Sequence, residues 1–585
     1  MLRSGSSRWL VIGGAVLAGL LLVVLGLRLA MDVDPTELGR LVSDGPIKEL
    51  REELRPARPG ERRVILFAID GVGDDAFREI LSEGRIPELR ALLGAADPQS
   101  ELWDHAWAPR GALSILPSTT FAAWTSVFTG SPVGETGVPG NEWYDRASGQ
   151  FLAPAPVSVS GYGDAVRVFS EGFMDDWIGG VPTLFERADV RSYAVFVAQH
   201  RGADLLVQPD LSVLGEAMAA VAQGIGNDEA IDLEPYEALD RQAAAGALAA
   251  LDEYGLPDLL AVYLPGIDLH MHVAPESARA RVDYFAEIVA PLIWSILEAY
   301  RERKALEDTW VVFVSDHGHT PVSGADRNAL GTNPEEGWAG IIEEAGWRLR
   351  PFERDVSDST HQAVLAYQGA FANVYLADRS TCRADDEACD WSRGPDLQGD
   401  LVPLLQRLHE VNLNHPDLAG TLDLILSRES HGLDPAEPFQ VWDGDSLRPV
   451  GDYLESSPRP DLLAFEERLR AMGEGPLGHR AGDILLLARM RIEDSTADRF
   501  YFSGPYRSWH GSPNAWDSQI LWILARPGGF GSDARGQGVE LVGERPGQLD
   551  ITPLVLGLLS AGGDPGPQAR RSSSEGGLPN PMGRP

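Results

Sequence analysis

Cysteine is nearly absent from this chain: Cys382 and Cys389, in the loop TCRADDEAC, are the two in 585 residues. A disulfide-built scaffold and a cysteine-rich zinc cluster are thereby excluded, and a local Cys382–Cys389 bridge is what an oxidising exterior would allow. Histidine is scarce too, at 12 residues, so any cluster of imidazoles needs an account. Basic residues are outnumbered, with Lys+Arg 49 against Asp+Glu 87 and a formal net charge of -38. Such a surface repels polyanions, and duplex nucleic acid is not an expected partner. The sequence contains no internal repeat.

Charge is missing altogether from Trp9 to Leu27, a run that would span about 28 Å as a helix, enough for one membrane crossing. Arg3 and Arg8 precede it and Asp32, Asp34 and Glu37 follow it. The positive-inside bias then puts residues 1–8 in the cytoplasm, makes 9–31 a transmembrane signal anchor, and leaves the rest outside, periplasmic or extracellular. Secretion after signal-peptide cleavage is the alternative, weakened by the length of the apolar run and by Arg28 where a small residue is wanted. No cysteine follows the run as a lipid attachment point. Residues 32–61, charged and bearing Pro and Gly, read as a stalk. The tail 562–585 lacks the apolar residues to build a core and reads as disordered.

The length and a hydrophobic content of 44% suit a large α/β enzyme with added subdomains. RRVILFAIDG is a buried strand by its apolar, β-branched run, and DDAFREILSEGRIPELRALL has helical spacing. The alternation recurs in TLFERAD and YAVFVA, in ALDRQAAAGALAALDEY and DLLAVYL, and in the helical stretch from about Ser277 to Arg303 before WVVFVSD. It predicts a mostly parallel sheet flanked by helices on both faces, with ligands gathering beyond the carboxyl ends of its strands. Residues 62–320 form the first part of this core. Residues 321–480 are less regular, a peripheral insertion or cap with strands FANVYLA and TLDLILS, and 481–561 return to the sheet through GDILLLA and SQILWILA.

Apolar runs in this chain stop at acids and imidazoles. LFAID ends at Asp70 before Gly71, VVFVSDHGHT holds Asp316, His317 and Gly318, LPGIDLHMH holds Asp268, His270 and His272, and YRSWHGSPN holds His510 and Gly511. Positions four apart share a helix face and positions two apart separate, so Asp268 pairs with His272 and His270 is left as a neighbour. A buried carboxylate is costly unless paired or coordinated. Any one of these acids alone reads as a cap or an ion-pair partner, whereas four coincident strand ends read as ligands. Three carboxylates and three imidazoles suit two Zn-like ions. A nucleophile is offered by PSTTFAAWTSVFTG, with hydroxyls at Ser118, Thr119 and Thr120 where a helix begins. Free N–H groups there suit a phosphoryl anion, and at least one of the three hydroxyls also reads as an N-cap.

In order and spelling, AIDG, PSTTFAAWTSVFTG, DLHMH, SDHGH and WHGS resemble the alkaline phosphatase superfamily, and most of all its type I phosphodiesterase/nucleotide pyrophosphatase branch, over about residues 63–560. The resemblance implies an alkaline-phosphatase-like fold, two divalent metal ions, usually zinc, and a phosphorylated nucleophile. Carried over by position, the nucleophile is Thr120. One ion falls on Asp70, Asp316 and His317 beside Thr120, the other on Asp268, His272 and His510. The resemblance also implies an asparagine three residues after the nucleophile, where this chain has Ala123 and then Trp124. Backbone N–H groups, or Arg507 from YRSWH, are expected to serve the phosphoryl oxygens instead, with Trp124 and His319 as further substrate contacts.

The implied activity is hydrolysis of phosphodiester or nucleotide pyrophosphate bonds through a phospho-threonine, on a phosphate-ester or nucleotide small molecule. A phosphomonoesterase, or a catalytically silent metal-bearing binding protein, is the alternative. No C/S-x-P-x-R spelling of a sulfatase is present, and nothing signals an oligomeric state.

Overall fold

A computed structural model describes residues 48–560, apart from 51–52, 59–61, 160–162, 171, 228–231, 354–355, 357–359, 385–386, 431 and 435–436. The expected anchor at 9–31 and the tail 562–585 lie outside the described residues. Among the described residues, no helix is long and apolar enough to cross a membrane.

The apolar runs become the strands Arg63–Ile69, Ser192–Val195, Leu205–Val207, Leu259–Leu264 and Thr309–Val314, mutually parallel at the centre of an eight-stranded sheet. Nearly every residue of the long central strands is buried whichever way it points, which requires cover on both faces. The helices Glu234–Tyr254 and Ile551–Ser560 pack on Leu259–Leu264 and Arg63–Ile69 respectively.

Both edges are antiparallel. Trp522–Ala525 lies between Thr309–Val314 and Ala106–Trp107, and Lys48–Leu50 pairs with Leu205–Val207. Part of the expected stalk at 32–61 is therefore sheet, because an edge strand's open N–H and C=O groups find partners there. Arg55 anchors the next residues by donating to the Val190 and Gly202 carbonyls and to Asp204.

A second sheet of six strands is wholly antiparallel, in the order Ala363–Gln368, Phe371–Leu376, Ile484–Ala488, Leu422–Ser427, Gln440–Trp442 and Leu447–Pro449. GDILLLA, expected to return to the first sheet, is an interior strand here. A short run buried on both faces reads the same in either sheet, so pattern alone does not say which one it joins. Its alternate side chains enter two cores. Ile484 and Leu486 meet Trp338, Leu405 and Phe502 on one side, while Leu485 and Leu487 meet Phe371, Leu426, Ala122 and Ala123 on the other. Ala122 and Ala123 belong to the Thr120–Thr129 helix, so the second sheet backs the helix that carries the candidate nucleophile. Cys382 and Cys389 are joined as a disulfide beyond Phe371–Leu376.

Candidate active site

The acids come from the carboxyl ends of three adjacent parallel strands. Asp70 follows Arg63–Ile69, Asp316 lies just beyond Thr309–Val314, and Asp268 sits in the Gly266–Val273 helix entered directly from Leu259–Leu264. Gly71 turns the chain at φ +70°, and a Cβ there would meet His319 Nε2 at 2.7 Å and Asp268 Oδ1 at 3.0 Å. Only glycine satisfies both the left-handed backbone and that approach.

The imidazoles are oriented by backbone carbonyls. His317 Nδ1–H donates to the Gly318 carbonyl at 3.0 Å, His272 Nδ1–H to that of Ser508 at 3.0 Å, and His510 Nδ1–H to that of Ser118 at 2.9 Å. A carbonyl can only accept, so each ring carries a proton on Nδ1 and turns Nε2 toward the acids. His317 Nε2 lies 3.4 Å from Asp70 Oδ1 and 3.1 Å from Asp316 Oδ2, and neither of these buried oxygens has a hydrogen-bond partner. His272 Nε2 is 3.4 Å from Asp268 Oδ2, and His510 Nε2 is 4.0 Å from Asp268 Oδ1. His270, on the other face of the helix, stacks on Tyr284 at 5.7 Å, and burial lowers its pKa to about 4.

Three overlapping groups of ligand-type atoms result, Asp70 with Asp316 and His317, Asp268 with His272 and His510, and Asp268 with His317 and His319, each within 4.8 Å. Burial, then the charges of Asp316 and Asp268, push Asp70 well above the usual carboxylate range. Burial likewise pushes Asp316 up to about 8. It also opposes ionisation of Asp268, but the His272 and His319 imidazoles outweigh it and hold that carboxyl well below its ordinary value. Among the described residues, no Lys or Arg pairs with these three acids. Orphaned carboxylate oxygens facing imidazole Nε2 atoms are a donor set that fits divalent cations.

Burial separates the three hydroxyls. Ser118 Oγ donates to the Ser512 carbonyl and Thr119 is enclosed, whereas Thr120, in the first turn of its helix, lines a cavity and has Oγ1 3.4 Å from His317 Nε2.

The family described as type I phosphodiesterase / nucleotide pyrophosphatase matches residues 64–388, more than half of the chain. The chain belongs to this family. It is accordingly an enzyme, a metal-dependent hydrolase of phosphoric ester bonds. Among solved structures, phosphonoacetate hydrolase from Sinorhizobium meliloti 1021 in complex with phosphonoformate is similar at 15% identity over 88% of this chain and 100% of the other, with a TM-score of 0.44. A mutant of the alkaline phosphatase PafA is similar at 14% identity over 86% and 97%, with a TM-score of 0.46. No curated protein sequence matches the chain significantly.

In this phosphodiesterase-family chain, the three residues expected to contact the phosphoryl group lie elsewhere, and position 123, where the resemblance implies an asparagine, is turned away. Ala123 is enclosed in the core between its helix and the second sheet, so that position does not face the cavity. Trp124 donates its Nε1–H to Asp70 Oδ2 at 3.3 Å and sits behind that carboxylate. Arg507 sends its guanidinium to the Asn227 carbonyl and past Gly324, and is not a lining residue of the cavity. His319 lies 2.7 Å from Asp268 Oδ1 through Nε2 and 3.0 Å from Ser508 Oγ through Nδ1, which places it behind Asp268.

Two residues went unread in the sequence. Tyr263 donates its hydroxyl to Asp70 Oδ2, and its apolar strand concealed it. Asn141 lines the cavity beside Thr120, and its Oδ1 accepts the Phe121 N–H at 3.1 Å. A loop asparagine in GNEWYD carries no signal of its own.

Proposed function

We propose that this enzyme cleaves phosphodiester bonds in two displacements at Thr120, with two divalent cations bound. The supporting observation is the convergence of three Nδ1-fixed imidazoles and three carboxylates, two of them with an unpartnered oxygen, around that one accessible hydroxyl. Asp70, Asp316 and His317 would hold one ion and Asp268, His272 and His510 the other, and the nitrogen and oxygen ligand mix suits zinc. Such ions supply positive charge that lowers the pKa of a hydroxyl and stabilises phosphoryl oxygens.

Thr120 Oγ1, deprotonated, attacks phosphorus, and the bond to the leaving alcohol breaks as the new ester forms. Asn141 Nδ2–H donates to a non-bridging oxygen, the role the sequence had reserved for position 123. Tyr263 and Trp124 hold Asp70 in place through its Oδ2, leaving Oδ1 turned to His317. Water then attacks the phosphorylated Thr120, releasing a phosphate monoester and restoring the hydroxyl.

The amino-terminal run 9–31 is proposed as a membrane anchor, with the catalytic part outside the cytoplasm; the charge asymmetry around it supports this. The test supplies the full chain with zinc and follows a phosphodiester, a monoester and a nucleotide pyrophosphate. We expect diester turnover and an acid-stable phosphoryl adduct on Thr120 by mass spectrometry, both lost in Thr120→Ala. Turnover that survives in the variant overturns the nucleophile, and a zinc-loaded chain inert on all three substrates overturns the activity.

A further inference from the structure

The cavity onto which Thr120 opens measures about 120 Å3. Its polar lining is confined to the reacting end. Tyr263 bonds to Asp70, Asn141 holds the turn at Phe121, and Tyr506 and Trp509 pack on His272 with ring centroids 5.2 and 4.3 Å away.

The remainder is hydrocarbon. Phe169, Phe196 and Leu239 line it together with Leu214, Met218 and Val221. The last three fall at i, i+4 and i+7 of the Leu211–Gly224 helix and form one stripe, a face a soluble helix ordinarily closes against another element. Here part of that stripe faces open volume.

A further wall, the consecutive residues Pro154 to Val157, is fixed in place. The Ala155 N–H donates to the Asn141 carbonyl at 3.1 Å, and buried Glu142 accepts the N–H groups of Val157 and Ser158 at 2.9 Å each. The turn that presents Asn141 to the phosphoryl group thus also holds the apolar wall open.

Cations are missing from this chamber. Among its described lining residues there is no Lys or Arg, and the whole sequence has two lysines, Lys48 and Lys304. A second phosphate, beyond the one at Thr120, would be desolvated there without a partner, and a nucleobase would find no donors or acceptors for its edges. An aliphatic chain needs neither.

Resting on the hydrolase reading above, we propose that the substrate is a phosphodiester bearing one long aliphatic substituent, which fills this cavity while the phosphoryl group lies at Thr120. The ester's retained side carries the chain, and the alcohol on the other side of phosphorus leaves.

The test uses the zinc-supplied full chain and a series of alkyl 4-nitrophenyl phosphodiesters from methyl to dodecyl, below micelle-forming concentrations, with a nucleoside 5′-(4-nitrophenyl phosphate) for comparison. The common nitrophenolate release isolates the retained substituent. We expect kcat/KM to rise up to about fourfold per methylene until the cavity is filled, and the octyl ester to surpass the nucleoside ester. Met218→Glu, at a half-buried position, flattens the octyl-to-methyl ratio, and Met218→Leu restores it.

Binding of alkylphosphonates by calorimetry gives a readout independent of turnover. Affinity that rises with chain length supports the cavity assignment even where no ester is hydrolysed, in which case the hydrolase reading alone fails. Hydrolysis with no dependence on chain length, or with preference for the nucleoside ester, overturns the aliphatic substrate and leaves the hydrolase reading standing.

Discussion

Thr120 has two hydroxyl neighbours, and what distinguishes it is access: Ser118 and Thr119 are enclosed while Thr120 faces the cavity. Thr120→Ala is therefore expected to lower kcat/KM by at least about 10^3-fold, as removal of a nucleophile does, whereas Ser118→Ala alters stability more than turnover. Asn141→Ala is expected to cost about 10^2-fold, chiefly in kcat, because a donor to a developing oxyanion acts in the transition state; steady-state kinetics on one diester measures both. The six carboxylates and imidazoles of the site were legible because each ends an apolar run, where an unpaired acid needs a reason. Asn141 was not, since a loop amide differs from any other loop amide until the fold shows what it faces. Arg507 misled for a different reason, as its long side chain reaches the Asn227 carbonyl from a position next to the site.

The Gly266–Val273 helix shows how one element sorts its residues. Asp268 and His272 take the face toward the site, and His270 packs between Tyr236 and Tyr284 at centroid distances of 5.5 and 5.7 Å. His272→Ala is expected to lose bound metal and turnover together, while His270→Ala loses thermal stability first; metal analysis beside an activity assay separates them. The helix start rests on buried Asp240, whose Oδ1 accepts the Gly266 N–H at 2.8 Å and whose Oδ2 accepts the Tyr284 hydroxyl at 3.0 Å. A Cβ at Gly266 would come within 2.8 Å of Asp240 Oδ2, so the close seating needs glycine.

Burial pushes Asp240 up to about 7 from 3.8, against the two hydrogen bonds that favour its charge. The folded value is raised, so this group's contribution to stability is fully present below pH 3.8 and is lost as the pH rises through 7. From pH 5 to pH 8 the loss comes to about 2–3 kcal/mol. Asp240→Asn is expected to remove that slope, gaining melting temperature relative to wild type at pH 8 more than at pH 5. The parallel strands were legible from their apolar runs, and GDILLLA was recognisable as a strand although its sheet was not.

At the scale of the molecule, the candidate metal centre draws ligands from residue 70 to residue 510, joining segments that meet only through tertiary structure. Chelation should therefore leave buried like charges facing one another and lower the melting temperature by about 4 °C or more, with recovery on adding zinc back; calorimetry with and without chelator checks this. The second sheet could be read from sequence as additional strands, but not as the support behind Thr120, because packing partners so distant in the chain leave no local pattern. His510 arrives late, fixed by its bond to the Ser118 carbonyl, and Trp522–Ala525 must still slot between Thr309–Val314 and Ala106–Trp107. A nascent chain emerging amino end first thus holds its hydroxyl and all three acids well before it can become competent. The candidate ligand set stays incomplete until the segment carrying His510 has been delivered.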